Sequence, residues 1–399
     1  MLGRVAALRG LGPERGVQAT VLGRDAVIAR IIAKTEREIP EHALRAQGEL
    51  LAALGLLPTG YDFVAGVYAL LRSEIAGFYD TTEKRLFLLD DLPDREAEPT
   101  LAHELVHALQ DQHFALEALT KYRPGEGDRI GAAHALGEGD ATSAMLDLTA
   151  GSAMRFEQQW LRLAMVASVA LSEAGVQTPP VLRAALVAPY VDGFAFVQDL
   201  RRRGGWAAVD AAWRRPPAST EQLLHVGKYD SGEPVRDVAA PALEPLGEGW
   251  QALDADVLGE QGLRIVLEQW TDRAQAARAA AGWGGDRYVV ARRAPAAPAR
   301  DEQLAAAWLV RFDSAGDAAE MAAVLRRAMG HRCTDRPERG PIAWQLRRDL
   351  VVLAAGPYVR DGQGKMARPD AVPNAGEPCR LTGAWTGRIL GDAALAPAR

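Results

Sequence analysis

The stretch of sequence that decides the fold is Thr100-Leu101-Ala102-His103-Glu104-Leu105-Val106-His107-Ala108-Leu109-Gln110-Asp111-Gln112-His113. It contains the pattern His-Glu-x-x-His. Residues four apart lie on one face of a helix, so the imidazoles of His103 and His107 can hold one metal ion together. Glu104 is offset by one position, where its carboxylate can reach a metal-bound water and act as a general base. The spacing therefore predicts a metal site with one carboxylate reserved for proton transfer.

Apolar residues surround this pattern and indicate that its helix is buried on most sides. They are Leu101, Ala102, Leu105, Val106, Ala108 and Leu109. Buried imidazoles and carboxylates need partners, and a metal ion is the natural partner for two histidines at this spacing. The alternative is an exposed helix with two unrelated histidines. The chain has only seven histidines, so the pattern would arise by chance in on the order of one per cent of such chains.

Composition argues against two classes of protein. The 399 residues carry a formal net charge of −6, which argues against a nucleic-acid binder. No run of eighteen apolar residues occurs, so no membrane-spanning segment is expected. The N-terminus lacks the sustained apolar stretch of a signal peptide. The chain is expected in the cytoplasm if Met1 is native, and in the cell envelope or outside the cell if a leader was removed.

Two cysteines, Cys333 and Cys379, are the only thiols of the chain. They lie far from the histidine pattern and lack the spacing of a zinc site. They either form one disulfide in an oxidising compartment or serve as two small buried apolar residues, and the sequence leaves both open.

The hydrophobic pattern of the first half of the chain is mainly helical. Helices are predicted over 24–57, with a break at Pro40, and over 61–73. Two short strands are predicted at 75–80 and 85–89, joined by a turn. After an acidic loop, the helix with the histidine pattern is expected to begin near Pro99 and to run to about Leu119. Further helices are predicted over 130–150, 153–173, 180–203 and 204–213.

The second half of the chain has a different pattern. Residues 236–252 contain several Pro and Gly and predict a linker. The order strand–strand–helix–strand–strand that follows predicts a small antiparallel sheet with helices on one face. Its elements are expected at 257–270 and 271–281 (helices), 287–291 and 306–312 (strands), 315–329 (helix), and 342–346 and 350–354 (strands). A loop is expected at 294–299 and an exposed tail at 356–378, before a last short segment.

Together these patterns predict an α+β fold. We expect a mainly helical domain with a short β-sheet before the motif helix, and a smaller C-terminal α+β domain with an antiparallel sheet. The predicted division is an N-terminal helical segment 1–58, a core domain 59–235, the linker 236–252 and the C-terminal domain 253–399.

A catalytic zinc usually has three protein ligands and one water, so a third ligand has to be found. His113 has the spacing of the pattern His-Glu-x-x-His-x-x-Gly-x-x-His, in which the glycine turns the chain. Gln110 replaces that glycine here. In a continuous helix His113 lies about 240° around from His107 and points away from the metal. The spacing to His113 is therefore interpreted as accidental.

Glu138 is the preferred third ligand. The glycines on both sides of it, Gly137 and Gly139, are unfavourable in a helix and indicate a close backbone approach to the motif helix. His134 shares a helix face with Glu138 and is the reserve ligand or a supporting residue. Asp111, four residues after His107, is either an acceptor for the second ring N–H of a ligand histidine or an ordinary surface acid.

These residues resemble the gluzincin metallopeptidases, within the wider zincin fold. The resemblance rests on His103-Glu104-Leu105-Val106-His107 with Glu138-Gly139-Asp140-Ala141 downstream. Residues 60–235 further resemble uncharacterised bacterial and archaeal zincin-like proteins in Gly77-Phe78-Tyr79-Asp80, in 103–112 and in Ser219-Thr220-Glu221-Gln222-Leu223-Leu224-His225. The resemblance implies one catalytic zinc and the hydrolysis of peptide or protein substrates.

The resemblance also implies roles for two further segments. Zincins pair an extended substrate with an edge strand before the motif helix, here 75–80 with Gly77, Phe78 and Tyr79, or 85–89; an ordinary hairpin is the alternative. Gluzincins supply a later Tyr or His to the oxyanion, and His225 and Tyr229 are the candidates. A surface histidine and a packed tyrosine are the alternative reading of those two.

Two other functions remain open from sequence alone. A site closed by four protein ligands, with both His134 and Glu138, would be structural and would belong to a non-catalytic binding or assembly protein. The presence of Glu104 argues against this, because a structural site needs no base. A metal-dependent hydrolase of a non-peptide substrate is the second alternative. The C-terminal domain has no catalytic pattern and is expected to cover the cleft, bind a partner or restrict access.

Overall fold

Two β-sheets, one of three strands and one of seven, organise the chain. A computed structural model describes residues 1–294, 301–330, 333–336, 338–361, 364–367 and 377–395. The α+β class is confirmed, with a mainly helical part around the small sheet and an antiparallel sheet in the C-terminal part. Most of the predicted loop at 294–299 and part of the predicted tail at 356–378 lie outside the described residues.

Helices surround both sheets. The described helices are α1 Leu2–Arg9, α2 Arg24–Glu38, α3 Glu41–Leu54, α4 Phe63–Glu74, α5 Asp94–Phe114, α6 Leu116–Thr120, α7 Gly127–Ala150, α8 Gln158–Leu171, α9 Glu173–Gln177, α10 Pro180–Arg214, α11 Thr220–Leu224, α12 Val226–Ser231, α13 Gly259–Leu267, α14 Arg273–Ala280, α15 Ala315–Met329 and α16 Glu377–Leu395, with 3₁₀ turns at Ala153–Arg155 and Glu244–Leu246.

The strands are β1 Gln18–Leu22, β2 Gly77–Asp80, β3 Arg85–Leu89, β4 Trp250–Asp256, β5 Trp283–Arg293, β6 Glu302–Phe312, β7 Cys333–Arg336, β8 Gly340–Arg347, β9 Leu350–Arg360 and β10 Met366–Ala367. The small sheet has the order β1-β3-β2, with β1 parallel and β2 antiparallel to β3. The predicted hairpin is therefore present, and β2 is one of the two edges of its sheet.

The motif helix α5 differs from its predicted bounds. It begins at Asp94 rather than near Pro99, and the acidic side chains of Asp94 and Glu96 lie in its first turn, where they interact favourably with the helix dipole. It ends at Phe114 because Ala115 adopts a left-handed conformation with φ 53°. A separate short helix, α6, then follows.

The N-terminal segment 1–58, predicted to be helical, also contributes a strand and packs against both other parts of the chain. Strand β1 pairs with β3, and α1 packs its apolar face against α5 and α7. The fully buried Arg9 forms an ion pair with Asp140 of α7 at 2.6 Å. Helix α3 packs instead against the seven-stranded sheet. Such long-range pairings leave no local signal in the sequence.

The C-terminal sheet has the order β4-β5-β6-β9-β8-β7, with β10 beside β9. Residues 236–252, predicted as a linker, lie against this sheet, where Val238 and Leu246 are buried. The predicted tail is also revised, because 356–360 belong to β9 and the last segment is the 19-residue helix α16. A disulfide joins Cys333 of β7 to Cys379 of α16.

Helix α10 is the longest helix and combines two predicted helices, with a kink at Gly204 and Gly205 where the backbone leaves the helical conformation. Its length and composition alone would allow it to cross a membrane, and 56% of its most apolar window is buried inside the protein. A buried core helix passes the same test, so this finding is weak support for a membrane span.

Helices α7 and α10 cross in direct backbone contact at two glycines. A Cβ atom on Gly139 of α7 would lie 2.1 Å from the carbonyl oxygen of Gly193, and one on Gly193 would lie 1.8 Å from the carbonyl oxygen of Ala135. No side chain fits between these backbones. The glycine at 139 therefore marks an approach to α10 rather than to the motif helix.

We expect Gly193→Ala to destabilise the protein by about 1–3 kcal/mol or more, because the helices have to separate to admit a methyl group. Gly383→Ala is the matched control, since Gly383 lies in α16 and a Cβ there would meet nothing within 4 Å. That control is expected to be neutral or up to about 1 kcal/mol more stable. Urea titration measures the free energy of unfolding of both variants, and equal stabilities would contradict the close crossing.

Candidate metal centre

Three predicted side chains converge at one point between α5 and α7. Nε2 of His103 lies 3.1 Å from Oε2 of Glu138 and 3.1 Å from Nε2 of His107. Nε2 of His107 lies 3.6 Å from the same carboxylate oxygen. The three ligand atoms therefore form a compact triangle, and Glu138 is brought to the two histidines as the sequence predicted.

The triangle has the size that a tetrahedral zinc ion requires. Zinc bonds of about 2.0–2.1 Å place neighbouring ligand atoms roughly 3.4 Å apart, and the observed separations are 3.1–3.6 Å. In the described part of the chain, three side chains of metal-binding type belong to this group, His103, His107 and Glu138. Three protein ligands leave the fourth position to water or substrate, as in catalytic zinc sites.

Gln110 orients His107 and ties α5 to α7. Nδ1 of His107 donates a hydrogen bond of 2.8 Å to Oε1 of Gln110, which leaves Nε2 free to bind a metal. The Gln110 amide in turn donates to the carbonyl of Gly137 at 3.0 Å. The residue that replaces the turning glycine of the longer histidine pattern thus holds a ligand in place. This role of Gln110 was not predicted from the sequence.

The charges of the ligands are strongly coupled. Burial alone would lower the pKa of His107, but the Glu138 carboxylate outweighs it and raises that pKa to about 9. Burial alone would raise the pKa of Glu138, yet His107 and His103 hold it well below its usual value. The three side chains therefore share a proton at neutral pH, which a cation bound by them would displace.

Glu104 lies beside the ligands and is held by the edge strand. Its Oε2 accepts a hydrogen bond of 2.8 Å from the backbone N–H of Tyr79, and its side chain contributes to the cleft wall. Residues His103 and His107 lie on the same wall. The carboxylate is thus fixed next to the metal ligands without being one of them, which is the position that a general base requires.

Tyr190 of α10 is a site residue that the sequence analysis missed. Its ring stacks on His103 with centroids 6.1 Å apart, and its hydroxyl lies near enough to the Glu138 carboxylate for that charge to act on its pKa. The negative charge of Glu138, and then burial, raise the pKa of Tyr190 well above its ordinary value. The hydroxyl therefore stays protonated and can donate. In the sequence, Gly193, one turn further along α10, is a local sign that this helix approaches α7 closely.

A cleft of about 1010 Å³ is lined by His103, Glu104, His107, Glu138 and Tyr190. Residues of β2, including Gly77, Phe78 and Tyr79, line it, as does the predicted supporting residue His134. Nδ1 of His134 lies 3.7 Å from Oε1 of Glu138, the oxygen that faces away from the two ligand histidines. His134 is half-exposed and belongs to the cleft wall rather than to the ligand triangle.

The structure does not bring His225 or Tyr229 to the cleft, so their assignment to the oxyanion is corrected. His225 bonds to Glu260 of α13 through Nε2 at 2.8 Å, and the hydroxyl of the buried Tyr229 donates to the carbonyl of Arg215 at 2.9 Å. Their segment is anchored at the start of α7, where Thr220 donates to Asp128. That point is ten residues, or about 15 Å, from Glu138 along the helix.

Asp111 and His113 also have other partners than the metal ligands. Asp111 accepts a hydrogen bond from the hydroxyl of Tyr79 at 2.9 Å and an ion pair from Lys84 at 2.9 Å. Asp111 therefore supports the β2–β3 hairpin. The acceptor role toward a ligand histidine, for which Asp111 was the candidate, belongs to Gln110. His113 faces the N-terminal loop, with Nε2 2.7 Å from the carbonyl of Gly12.

We expect Gln110→Ala to lower the affinity for zinc by about 10- to 100-fold, because His107 loses the acceptor that orients its ring. Gln112→Ala is the matched control on the same helix, since its side chain accepts from the backbone of Glu14 instead. Competition with a chromophoric chelator measures the affinity, with circular dichroism to verify folding. Unchanged zinc affinity in Gln110→Ala would contradict the orienting role.

Comparison with known proteins adds one partial match. Residues 244–365 match a family model described as a domain of unknown function (DUF8575). No match was found among curated proteins or among solved structures. The matched segment contains β4 to β9 and lies outside the ligand triangle, so the comparison bears on the C-terminal sheet and not on the metal centre.

Proposed function

We propose that this protein is a zinc metallopeptidase. The observation that carries the proposal is the convergence of His103, His107 and Glu138, with the carboxylate of Glu104 beside them in one open cleft. Two imidazoles and one carboxylate are the ligand set of a catalytic zinc. A structural site has no use for the additional carboxylate or for a cleft, so these two features support catalysis.

Zinc bound by these ligands would polarise a substrate carbonyl and acidify a water. Glu104 accepts the proton of the attacking water and transfers it to the leaving amine. Its Oε2 is held by the N–H of Tyr79, so we assign the proton transfer to Oε1. The same hydrogen bond couples the base to the edge strand β2 and keeps it oriented.

Tyr190 is proposed to stabilise the oxyanion. Its hydroxyl stays protonated because the nearby Glu138 carboxylate raises its pKa, and its side chain lines the cleft. A small rotation would direct this donor to negative charge that develops on the substrate oxygen, where one preorganised hydrogen bond has its largest effect. This is the role that the sequence analysis gave to His225 or Tyr229.

The edge strand β2 is proposed to bind the substrate backbone. It lies at the open side of the three-stranded sheet and lines the cleft through Gly77 and Phe78. An extended peptide can add to such an edge through backbone hydrogen bonds. The N–H of Tyr79 is already used by Glu104, so pairing would involve the other groups of the strand.

We expect Glu104→Gln to keep bound zinc and to lose hydrolysis, because the amide cannot accept the proton of the water. Glu138→Ala is the companion variant and is expected to lose zinc as well as activity. Zinc content by mass spectrometry and cleavage of a peptide library measure the two effects, and chelation should reversibly inactivate the wild type. Full activity of a zinc-loaded Glu104→Gln protein would sink the mechanism.

We expect Tyr190→Phe to lower kcat by about 10²–10³-fold with zinc retained, since removal of one oxyanion donor has this magnitude. Tyr229→Phe is the matched control, because its hydroxyl bonds to the carbonyl of Arg215 away from the cleft. The control should retain kcat and lose at most about 1 kcal/mol of stability. Equal kcat values for the two variants would refute the role of Tyr190.

A further inference from the structure

A second cavity of about 500 Å³ lies beside the zinc cleft, between α3, α4, α10 and α13. We call it the apolar chamber, since its wall is made mainly of aliphatic and aromatic side chains such as Leu44, Val67, Leu182 and Ile265. Asp256 is the one charged residue among the described residues of that wall. Its carboxylate already accepts from the N–H groups of Gly127 and Val257 at 2.9 and 2.8 Å.

The apolar chamber adjoins the zinc cleft. Thr35, Ile39, Leu71 and Leu186 line both spaces. A ligand that occupies both spaces would lie along these four side chains, between α2, α4 and α10.

The volume of the chamber selects a long chain over a single amino-acid side chain. A cavity of roughly 150 Å³ is enough to hold benzene, and the chamber has about three times that volume. A phenylalanine side chain would leave most of this volume to water, whereas a longer apolar chain would cover more of the apolar wall. A hydrocarbon chain of a dozen or more carbons would fill it.

Two buried polar atoms without partners mark where such a chain would carry its polar group. The hydroxyl of Tyr68, in the chamber wall, and Oε1 of Glu74, in the cleft wall, find no hydrogen-bond partner in the described part of the chain. Both lie three residues from Leu71, on opposite sides of it. A carbonyl on the chamber side could accept from Tyr68, and an N–H on the cleft side could donate to Glu74.

We propose that the apolar chamber binds the long acyl chain of an N-acylated peptide whose peptide part lies in the zinc cleft. The order chain, carbonyl, N–H and peptide matches the order of chamber, Tyr68, Glu74 and cleft. A free fatty acid is a poorer ligand, because its carboxylate has no N–H that could donate a hydrogen bond to Oε1 of Glu74. The inference rests on the proposed peptidase function for its substrate class.

The proposal also gives the C-terminal part of the chain a role. Val257, Leu258, Ile265 and Tyr288 belong to the segment that matches the domain of unknown function, and all four line the chamber. This part of the chain therefore forms one wall of the site that selects the acyl chain, rather than a separate lid.

Binding is tested without hydrolysis by displacing the neutral dye N-phenyl-1-naphthylamine from the full-length protein. The competitors are glycinamides with acetyl, hexanoyl, octanoyl, decanoyl and dodecanoyl chains, and dodecanoate. We expect the affinity of the glycinamides to rise about 4-fold per added methylene until the chamber is full. Dodecanoate should bind more weakly than dodecanoyl-glycinamide, and Glu74→Gln should reduce that difference. No dependence on chain length would overturn the proposal, and tighter binding of dodecanoate would assign the chamber to free fatty acids instead.

Two variants fill the chamber from opposite walls, Val67→Trp on α4 and Val257→Trp before α13. Each should stop the rise in affinity at a shorter chain, with an unchanged thermal transition showing that the protein is folded. Val21→Trp is the matched control, since Val21 is 60% exposed on β1 and lines neither cavity. If both filled variants are folded and bind long chains like the control, the chamber is not the acyl site.

Cleavage of N-acetyl and N-dodecanoyl forms of one peptide then tests the substrate class. The wild type should have the higher kcat/KM on the dodecanoyl form, and Val67→Trp should lose this preference. Long-chain binding with equal cleavage of both peptides would overturn the assignment to the substrate. Long-chain binding with no cleavage of any peptide by the zinc-loaded protein would instead reject the peptidase function while retaining the acyl site.

Discussion

The crossing of α7 and α10 at Gly139 and Gly193 is the contact on which the site depends. The two backbones meet without intervening side chains. This contact fixes the positions of the residues that lie one position or one turn away from each glycine. Glu138 precedes one glycine and reaches the histidines of α5. Tyr190 precedes the other by three residues, stacks on His103 and lies near Glu138. A wider crossing would move Tyr190 away from both of these residues.

The Glu138 carboxylate is the electrostatic centre of this arrangement. It raises the pKa of His107 and of Tyr190 and is itself held ionised by the imidazoles. A buried carboxylate is costly unless compensated, and here a cation or a proton compensates it. The same charge keeps the Tyr190 hydroxyl protonated, so one residue would both bind the metal and maintain the donor that we propose for the oxyanion.

The sequence predicted the convergence of His103, His107 and Glu138 and most of the helices and strands, because each has a local signal. Helix geometry places His103 and His107 on one face, and the glycines beside Glu138 indicated a close contact between helices. Two local predictions need correction. Gly139 packs against α10 and not against the motif helix. The acceptor for the ring N–H of His107, for which Asp111 was the candidate, is Gln110. The resemblance placed His225 and Tyr229 in the cleft, whereas their segment docks at the start of α7 through Thr220 and Asp128. Partners at such separations are set by packing, which one sequence does not display.

The sequence by itself determined the chemistry of the residues and the faces on which they lie. The motif supplies two imidazoles on one helix face and a carboxylate offset from them by one position, since these follow from side-chain type and helical period. Only the tertiary structure decided which tyrosine joins them, that the N-terminal strand β1 completes the small sheet, and that the C-terminal part forms a wall of the apolar chamber. These depend on contacts between residues far apart in the chain, whose geometry is fixed by close packing of whole elements.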